Sequence, residues 1–379
     1  MTSPPAFTDS DHAHMQAALG LAARGLGRVW PNPSVGCVVV KDGRVVGRGH
    51  TGVGGRPHGE TIALAQAGAA ARGATVYVSL EPCNHHGKTP PCTEALMAAG
   101  VARVVIACQD PDPRVHGSGI QRLRDAGIRV DTGLMEGEAA ALNEGFFRRI
   151  REGRPLVTLK LATSLDGRIA TAAGESQWIT GPVARAWTHG LRARHDAILV
   201  GIGTALADDP ELTCRLPGLE GRSPVRVVAD SRLRLPVTSR LVRGAGTTPL
   251  WIACLPGSGD PDRRRALTDA GAVLLEIAPG PDGRLPVTGL LAALAARGIT
   301  RVMAEGGAAL AASLLTADRV DRLDWFRAGI VLGGDGLPAA QPLALSSLAA
   351  APRFIRTDLR LCGPDQMESW ARQAYSNAW

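Results

Sequence analysis

One histidine, one glutamate and two cysteines near the start of the chain constrain its fold more than any other feature. His58 and Glu60 lie two residues apart, Pro82-Cys83 comes next, and Cys92 follows. One imidazole and two thiolates leave a tetrahedral Zn²⁺ with an open position for water, which is the arrangement of a catalytic zinc site. Glu60 is then free to move the protons of that water.

The order of these residues follows the zinc deaminase signature, H-x-E…P-C-x-x-C, in which the glutamate is the general acid and base. The gap between the cysteines is longer here, running from Asn84 to Pro91. Attack on an amidine carbon of a heteroaromatic ring needs water activated by the metal, a proton shuttle and protonation of the departing amine. A closed zinc knuckle, or two ordinary buried cysteines, is the alternative. Glu60 and the proline before Cys83 favour catalysis.

Local patterns place the candidate ligands at the ends of regular elements in an α/β fold. His58 and Glu60 lie where a helix begins, and Cys92 lies in the first turn of another, where the helix dipole favours thiolate over thiol. Helices are predicted at 12–25, 59–72, 91–99 and 118–126, and strands at 35–40, 44–49, 74–80, 103–107 and 128–132.

A second alternating part follows a charged helix at 136–152. Gly153-Arg154-Pro155 ends that helix before a strand at 156–162, so two domains are predicted, 1–153 and 154–379. Residues 336–353 show no pattern. The further strands are predicted at 197–201, 224–229, 250–254, 272–277 and 301–304, and the helices at 182–194, 263–270, 288–297 and 307–316.

The amino-acid composition limits the classes of molecule that the chain is expected to bind. The net charge of +7 comes without a basic run, and two Tyr and five Phe supply few stacking rings, which argues against a nucleic-acid editing deaminase. A mildly basic surface suits a phosphorylated small substrate. Seven scattered cysteines, no signal-peptide pattern and no apolar run of membrane length favour the cytoplasm and no membrane partner.

Further candidates surround the cysteine motif. Asn32 lies between two prolines, which suits a side chain that reads a base or ribose, although a simple turn is the alternative. Lys88 suits a substrate phosphate, or is simply solvated. His85 and His86 lie between the cysteines and could compete for the metal, but histidines in such a loop are usually just exposed.

Two glycine turns follow predicted strands in the second part, which has no G-x-G-x-x-G fingerprint. Gly201-Ile202-Gly203-Thr204 and Gly306-Gly307 each lead into a helix, where free N–H groups bind phosphate. Either turn alone is better explained as a tight turn. The two together, with Arg192 and Arg215, favour a phosphorylated cofactor and substrate, because arginine binds phosphate bidentately.

The first part resembles the deaminase half of the bifunctional RibD family of riboflavin biosynthesis, which also has the long gap between cysteines. The resemblance rests on Asn32 to Cys37, Lys41 to Gly43, His58 to Glu60, Thr75 to Cys92 and Asp110 to Pro113, with Gly59 where the family commonly has alanine. It implies a cytidine-deaminase-like α/β/α domain with zinc on His58, Cys83 and Cys92 and with Glu60 as proton donor. It also implies substrate contacts from Asn32, His50 and Lys88.

The second part resembles the reductase half of the same family, from Lys160 to Glu305-Gly306-Gly307. This implies a dihydrofolate-reductase-like α/β domain with NADPH as cofactor. A homo-oligomer is also expected. The implied substrate contacts are Ser176, Arg192, Leu212, Arg215 and Glu305. The implied cofactor contacts are Ala162, Trp178, Thr204, Asp208, Ser231, Gly307, Ala308, Ala309, Leu310, Ala311, Ala312 and Ser313.

The function implied is deamination of 2,5-diamino-6-ribosylamino-4(3H)-pyrimidinone 5′-phosphate, followed by NADPH reduction of its ribosyl group to ribityl. Lys160 and Glu305 are then polar partners near the reacting ribose. A non-enzymatic zinc module and a chain with a degenerate reductase remain as rivals. Lys160, Asp208 and Glu305 argue against the second rival.

Overall fold

The computed structural model describes residues 7–87 and 90–373. It divides into two compact units between Gly153 and Arg154. Each unit is an α/β structure with its own sheet. No helix in the described ranges is long and apolar enough to cross a membrane.

The first unit is a five-stranded sheet in the order β2-β1-β3-β4-β5. β1 pairs antiparallel with both neighbours, whereas β3, β4 and β5 are parallel. Its elements are α1 (Asp9–Ala23), β1 (Gly36–Lys41), β2 (Arg44–His50), α2 (Gly59–Ala67), β3 (Thr75–Val78), α3 (Cys92–Ala98), β4 (Arg103–Ile106), α4 (Ser118–Asp125), β5 (Arg129–Thr132) and α5 (Glu136–Glu152).

The second unit has a nine-stranded sheet in the order β11-β10-β9-β8-β12-β6-β13-β16-β15 and a two-stranded ribbon, β14-β7. Its strands are β6 (Leu156–Thr163), β7 (Arg168–Ala170), β8 (Ala197–Gly201), β9 (Val225–Ala229), β10 (Leu250–Cys254), β11 (Ala272–Glu276), β12 (Arg301–Ala304), β13 (Arg322–Arg327), β14 (Leu337–Pro338), β15 (Phe354–Cys362) and β16 (Asp365–Arg372). Its helices are α6 (Pro182–Arg192), α7 (Ile202–Asp208), α8 (Arg240–Arg243), α9 (Pro261–Asp269), α10 (Val287–Ala296) and α11 (Ala308–Thr316).

The order of the parallel strands creates a crevice between β8 and β12. After β8 the chain continues outward through β9, β10 and β11, whereas after β12 it continues to β13 on the other side of β6. Ligands of open α/β sheets bind at such a switch point, beyond the carboxyl ends of the strands. Both glycine turns singled out in the sequence follow these two strands.

The antiparallel strands at the end of the chain were missed in the sequence. The predicted elements stop at a helix over 307–316, whereas β13, β16 and β15 extend the sheet beyond it. Arg and Asp interrupt the apolar residues of β15, which is an edge strand with mostly exposed residues. Such a strand lacks the continuous apolar run that marks the buried parallel strands.

Two predicted helices have different ends. The helix at 12–25 begins earlier, at Asp9, because Thr8 and Asp11 form a reciprocal capping box. The helix at 59–72 is α-helical only to Ala67, because Gly68 has a positive φ of 54° and a 3₁₀ turn follows.

Gly36→Ala and Gly20→Ala give a matched test of how closely α1 packs on β1. A Cβ at Gly36 would lie 1.9 Å from the carbonyl oxygen of Ala18, whereas at Gly20, on α1 itself, it meets nothing within 4 Å. We expect Gly36→Ala to lower the thermal midpoint and Gly20→Ala to raise stability by about 0.5–1 kcal/mol. Thermal unfolding followed by circular dichroism measures both. Equal midpoints for the two variants would contradict the close approach.

Candidate functional site: a zinc centre and a nucleotide crevice

Three side chains converge in the first unit as the motif predicts. His58 precedes α2, Cys83 follows β3 and Cys92 begins α3. Nδ1 of His58 lies 3.3 Å from Sγ of Cys92 and 3.5 Å from Sγ of Cys83, and one ligand atom from each residue lies within 4.8 Å of the others. One nitrogen and two sulfurs at these distances are a donor set that fits Zn²⁺ with a fourth position open.

Hydrogen bonds and burial shift the pKa values of the three side chains in this cluster. A hydrogen bond from Cys92 and a second from His58 lower the pKa of Cys83 to about 4. The same hydrogen bond to Cys83, together with burial, raises the pKa of Cys92, and hydrogen bonding to Cys83 raises that of His58. The backbone N–H of Cys92 also donates to Sγ of Cys83, at 3.3 Å. A divalent cation bound by the cluster would stabilise both thiolates.

Glu60 lies beside this cluster in the first turn of α2 but is not part of it. The residue is only 3% exposed, and its Oε2 has no hydrogen-bond partner in the described part of the chain. Burial raises the pKa of its carboxyl group. A buried carboxyl with an open oxygen and a raised pKa is suited to accept and return a proton near neutral pH.

Glu81, which the motif search passed over, anchors the segment that carries Cys83. Its carboxylate accepts backbone N–H bonds from Gly117 (3.0 Å), Gly119 (3.0 Å), Ile120 (3.2 Å) and Asp110 (3.3 Å). The start of α4 approaches so closely that a Cβ at Gly119 would lie 2.2 Å from the carbonyl oxygen of Pro82. The only sequence signal was a glutamate next to the Pro-Cys pair.

Asn32 and His50 border the start of α2. Nδ2 of Asn32 donates to the carbonyl of Gly55 at 3.2 Å, so its Oδ1 remains as an acceptor. Nδ1 of His50 bonds the carbonyl of Thr51 at 2.9 Å, which requires the proton on Nδ1 and leaves Nε2 as an acceptor. A Cβ at Gly59 would lie 2.8 Å from the carbonyl of Val35, so glycine permits this close packing.

The loop between the cysteines is described only in part. Lys88 lies outside the described residues, so its predicted contact with a substrate phosphate stays a prediction. Nε2 of His86 lies 3.2 Å from the carboxylate of Glu94, on a side chain that is 72% exposed. Neither His85 nor His86 belongs to the cluster of metal-binding side chains found among the described residues.

The two glycine turns of the second unit meet at the crevice between β8 and β12. The backbone N–H of Gly307 donates to Oγ1 of Thr204 at 2.9 Å, which ties the start of α11 to α7. Helix α11 begins at Ala308, directly after this contact, and free N–H groups at the start of a helix are suited to bind phosphate. Within α11, Leu310, Ala311 and Ala312 are buried.

The remaining predicted cofactor residues lie on several elements. Ala162 lies on β6, Asp208 ends α7 and Ser231 follows β9. Trp178 is 67% exposed, and the guanidinium of Arg185 stacks 4.5 Å from its ring centre. Both residues line a cavity of about 380 Å³ together with Thr180, Gly181, Ala328 and Ile330.

A buried ion pair lies beside the crevice. Nε and Nη2 of Arg192 bind the carboxylate of Glu305 at 2.7 and 3.0 Å, and Nη1 binds the carbonyl of Thr213 at 3.0 Å. Burial alone would raise the pKa of Glu305, but Arg192 holds it at about 2. Burial lowers the pKa of Lys160, against the nearby charge of Glu305.

The other predicted substrate contacts lie on loops of the second unit. Leu212 is buried, with a positive φ of 55°. Arg215 is exposed and binds Glu211 at 2.8 Å. Ser176 is half-buried and accepts the N–H of Ile179 through its carbonyl.

Two family models match the chain. Residues 8–108 match the cytidine and deoxycytidylate deaminase zinc-binding region, and residues 155–366 match the RibD C-terminal domain. The riboflavin biosynthesis protein RibD of Escherichia coli (strain K12) is 45% identical over 94% of this chain and 97% of its own length. RibD of Bacillus amyloliquefaciens is 42% identical over 93% of this chain and 94% of its own.

Solved structures agree with these matches. Acinetobacter baumannii RibD superposes with a TM-score of 0.86 and 39% identity, covering 96% of this chain and 99% of that one. A Thermotoga maritima diaminohydroxyphosphoribosylaminopyrimidine deaminase/5-amino-6-(5-phosphoribosylamino)uracil reductase gives 0.83 and 35%, with the same coverage. The predicted fold class and the zinc and NADPH cofactors are confirmed.

Glu305→Gln should lower the thermal midpoint of unfolding, and the decrease should be largest above pH 5. The pKa of Glu305 is about 2 when folded and ordinarily 4.5, so its ionised form stabilises the fold fully above pH 4.5 and progressively less as the pH falls toward 2. Removing one partner of a buried pair costs about 3–5 kcal/mol. Scanning calorimetry between pH 7 and pH 3 measures the thermal midpoints of variant and wild type. We expect the difference between the two midpoints to become smaller as the pH falls.

Asp358→Asn is the matched control for this prediction. Asp358 pairs with Arg360 at the surface, where both side chains are about half exposed. Such an exposed pair contributes little to stability, because water screens the two charges. The stabilising role of the buried pair would be contradicted if Glu305→Gln lowered the thermal midpoint no more than the control does. It would also be contradicted if the decrease in midpoint did not change with pH.

Proposed function

The chain belongs to the RibD family of riboflavin biosynthesis proteins, and we propose that its two units catalyse consecutive reactions on one phosphorylated pyrimidine. The first unit removes an amino group, as ammonia, from 2,5-diamino-6-ribosylamino-4(3H)-pyrimidinone 5′-phosphate. The second reduces the ribosyl group of the product to ribityl with NADPH. The observation that carries this proposal is the cluster of His58, Cys83 and Cys92 beside the unpaired carboxyl oxygen of Glu60.

In deamination, Glu60 carries the protons. His58, Cys83 and Cys92 would hold Zn²⁺, which would supply the Lewis acidity that makes water a nucleophile near neutral pH. Glu60 would take one proton from that water through its open Oε2 and pass it to the ring nitrogen. It would then carry the remaining hydroxyl proton to the amine, which leaves as ammonia while the attacked carbon becomes a carbonyl. Its raised pKa keeps both protonation states accessible. Asn32 and His50 orient the ring through Oδ1 and Nε2, and Lys88 binds the phosphate.

In reduction, the charged groups beside the crevice prepare the ribose. Hydride from NADPH must reach C1′, which becomes accessible when the ribose ring opens and its ring oxygen takes up a proton. Lys160 is the proposed donor of that proton, because burial lowers its pKa and makes it a stronger acid than an exposed lysine. Arg192 holds Glu305 in place through two hydrogen bonds, and Glu305 binds the ribose hydroxyls. Arg215 is the exposed cation for the substrate phosphate.

The proposed cofactor contacts follow from the crevice. Thr204 and the start of α11, from Gly307 to Ser313, receive the phosphates of NADPH. Trp178 packs against the dinucleotide from the cavity side, and Ala162, Asp208 and Ser231 complete the contacts. The stacking of Arg185 on Trp178 supports this assignment, since it holds the ring at the rim of the cavity.

We also propose that both reactions take place in the cytoplasm and that the chain self-associates. All seven cysteines are free, and a dithiolate zinc site requires reducing surroundings. Along the edge strand β15, Ile355, Leu359 and Leu361 are 44%, 50% and 82% exposed. Apolar residues on an edge strand favour pairing with another chain.

Glu60→Gln separates the two activities. Full-length wild type with zinc, NADPH and the diamino substrate should release ammonia and then oxidise NADPH. The variant should keep its zinc but lose roughly a hundredfold or more of its ammonia release, because the proton shuttle is gone. It should still oxidise NADPH when given the deaminated pyrimidine. Ammonia assay, metal analysis and NADPH absorbance give the three readouts.

Two results would contradict this assignment. Loss of zinc from the Glu60→Gln protein would show that Glu60 is a ligand rather than a proton carrier. NADPH oxidation by the wild type with no deaminated pyrimidine present would overturn the order of the reactions.

Self-association is tested by a double substitution on the edge strand. Leu359→Lys together with Leu361→Lys places charge where apolar side chains are exposed, and charge on an edge strand opposes pairing. We expect light scattering to show an oligomer for wild type and a smaller species for the variant, with ammonia release retained. A wild-type monomer at micromolar concentration would refute self-association.

A further inference from the structure

Three buried side chains from three elements hold the backbone that joins Asn32 to β1. The N–H groups of Ser34, Val35 and Gly36 donate in turn to Asn143 Oδ1 (2.8 Å), Thr51 Oγ1 (2.9 Å) and Ser79 Oγ (3.0 Å). Asn143 lies on α5, Thr51 follows β2 and Ser79 follows β3. All three acceptors are at most 3% exposed. The segment is therefore fixed by hydrogen bonds from three separate parts of the first unit.

Of these three side chains, Asn143 makes the most hydrogen bonds to the segment, because it binds the backbone of Ser34 twice. Its Oδ1 accepts the N–H of Ser34, and its Nδ2 donates to the carbonyl of the same residue at 3.1 Å. One side-chain amide thus binds both the N–H and the carbonyl of Ser34, as the backbone of a neighbouring β-strand would. The hydroxyl of Ser34 meanwhile donates to the carbonyl of Ala22 at 2.5 Å, which fixes Ser34 against α1 as well.

The same hydrogen bonds also join the segment 32–36, which carries Asn32, to the segment 79–83, which carries the zinc ligand Cys83. The N–H of Ser79 donates to the carbonyl of Gly36 at 3.0 Å, in return for the bond from Gly36 to its hydroxyl. The chain runs from Ser79 through Leu80, Glu81 and Pro82 to Cys83. A displacement of Ser34 would therefore move Asn32 relative to the metal ligands.

We propose that Asn143 is a positioning residue for deamination, which sets Asn32 against the zinc cluster from a helix at the far end of the unit. The zinc-binding region matched by the family model ends at residue 108, so α5 completes the substrate site from outside that region. The inference rests on the proposed deaminase function. It concerns substrate placement and leaves metal binding and proton transfer to the residues named above.

Asn143→Ala in the full-length, zinc-loaded protein tests the inference. Its KM for the diamino substrate should rise about tenfold or more with kcat within about threefold, because a loosened Asn32 weakens ground-state and transition-state binding alike. Zinc content should equal that of wild type. Calorimetric titration with the deaminated pyrimidine nucleotide should show a matching loss of affinity in the first unit, with NADPH oxidation unchanged.

Phe147→Leu is the matched control. Phe147 lies on the same helix and is 1% exposed in the core, so this variant perturbs α5 without touching Ser34. It should lower the thermal midpoint and leave KM unchanged. If both variants raise KM equally, or if Asn143→Ala loses zinc, Asn143 supports the fold rather than the substrate.

Asn143→Asp is the second variant, to be used should the alanine protein fail to fold. It is nearly isosteric and keeps an acceptor for the N–H of Ser34, but it removes the donor to the Ser34 carbonyl. Its KM should rise as well, and a wild-type KM would overturn the proposal. Absence of ammonia release by the wild type itself would instead refute the deaminase function.

Discussion

The approach of two sulfurs to one imidazole nitrogen is the contact on which the chemistry of the first unit depends. His58, Cys83 and Cys92 come from three different segments, and bringing their donor atoms within 4.8 Å is unfavourable unless a proton or a cation lies between them. The fold overcomes this by fixing each segment separately. Glu81 binds the start of α4, and the N–H of Cys92 binds Cys83. The fold therefore holds the ligand-bearing segments through contacts of its own.

Three buried glutamates differ in role because their carboxylates have different hydrogen-bond partners. Glu81 has four backbone N–H partners and is structural. Glu305 has a bidentate arginine and stays ionised at its place beside the crevice. Glu60 has an open oxygen and a raised pKa, which suits it to move protons. The charge each carries, and hence its chemistry, follows from what fills its hydrogen-bonding capacity.

Local patterns predicted much of the fold. The buried parallel strands β8 and β10 are continuous apolar runs, so they stand out in the sequence, and a Gly-Arg-Pro break marks the boundary between the units. The edge strand β15 escaped because charged residues interrupt its apolar positions. β15 and β16 form a local hairpin, but no local pattern shows that β16 pairs with β13 and β13 with β6, since these pairings join residues far apart in the chain.

The sequence by itself determined the metal-binding chemistry, because an imidazole, two thiolates and a neighbouring acid at this spacing have few other uses. Arg192 drew attention through its place near the two glycine turns, whereas only the resemblance to a known family pointed to Glu305. Only the tertiary structure decided that these two form one ion pair, that Glu81 anchors Cys83, and that Asn143 binds Ser34 across 109 positions. Such contacts leave no periodic trace, because they depend on packing that brings distant segments together.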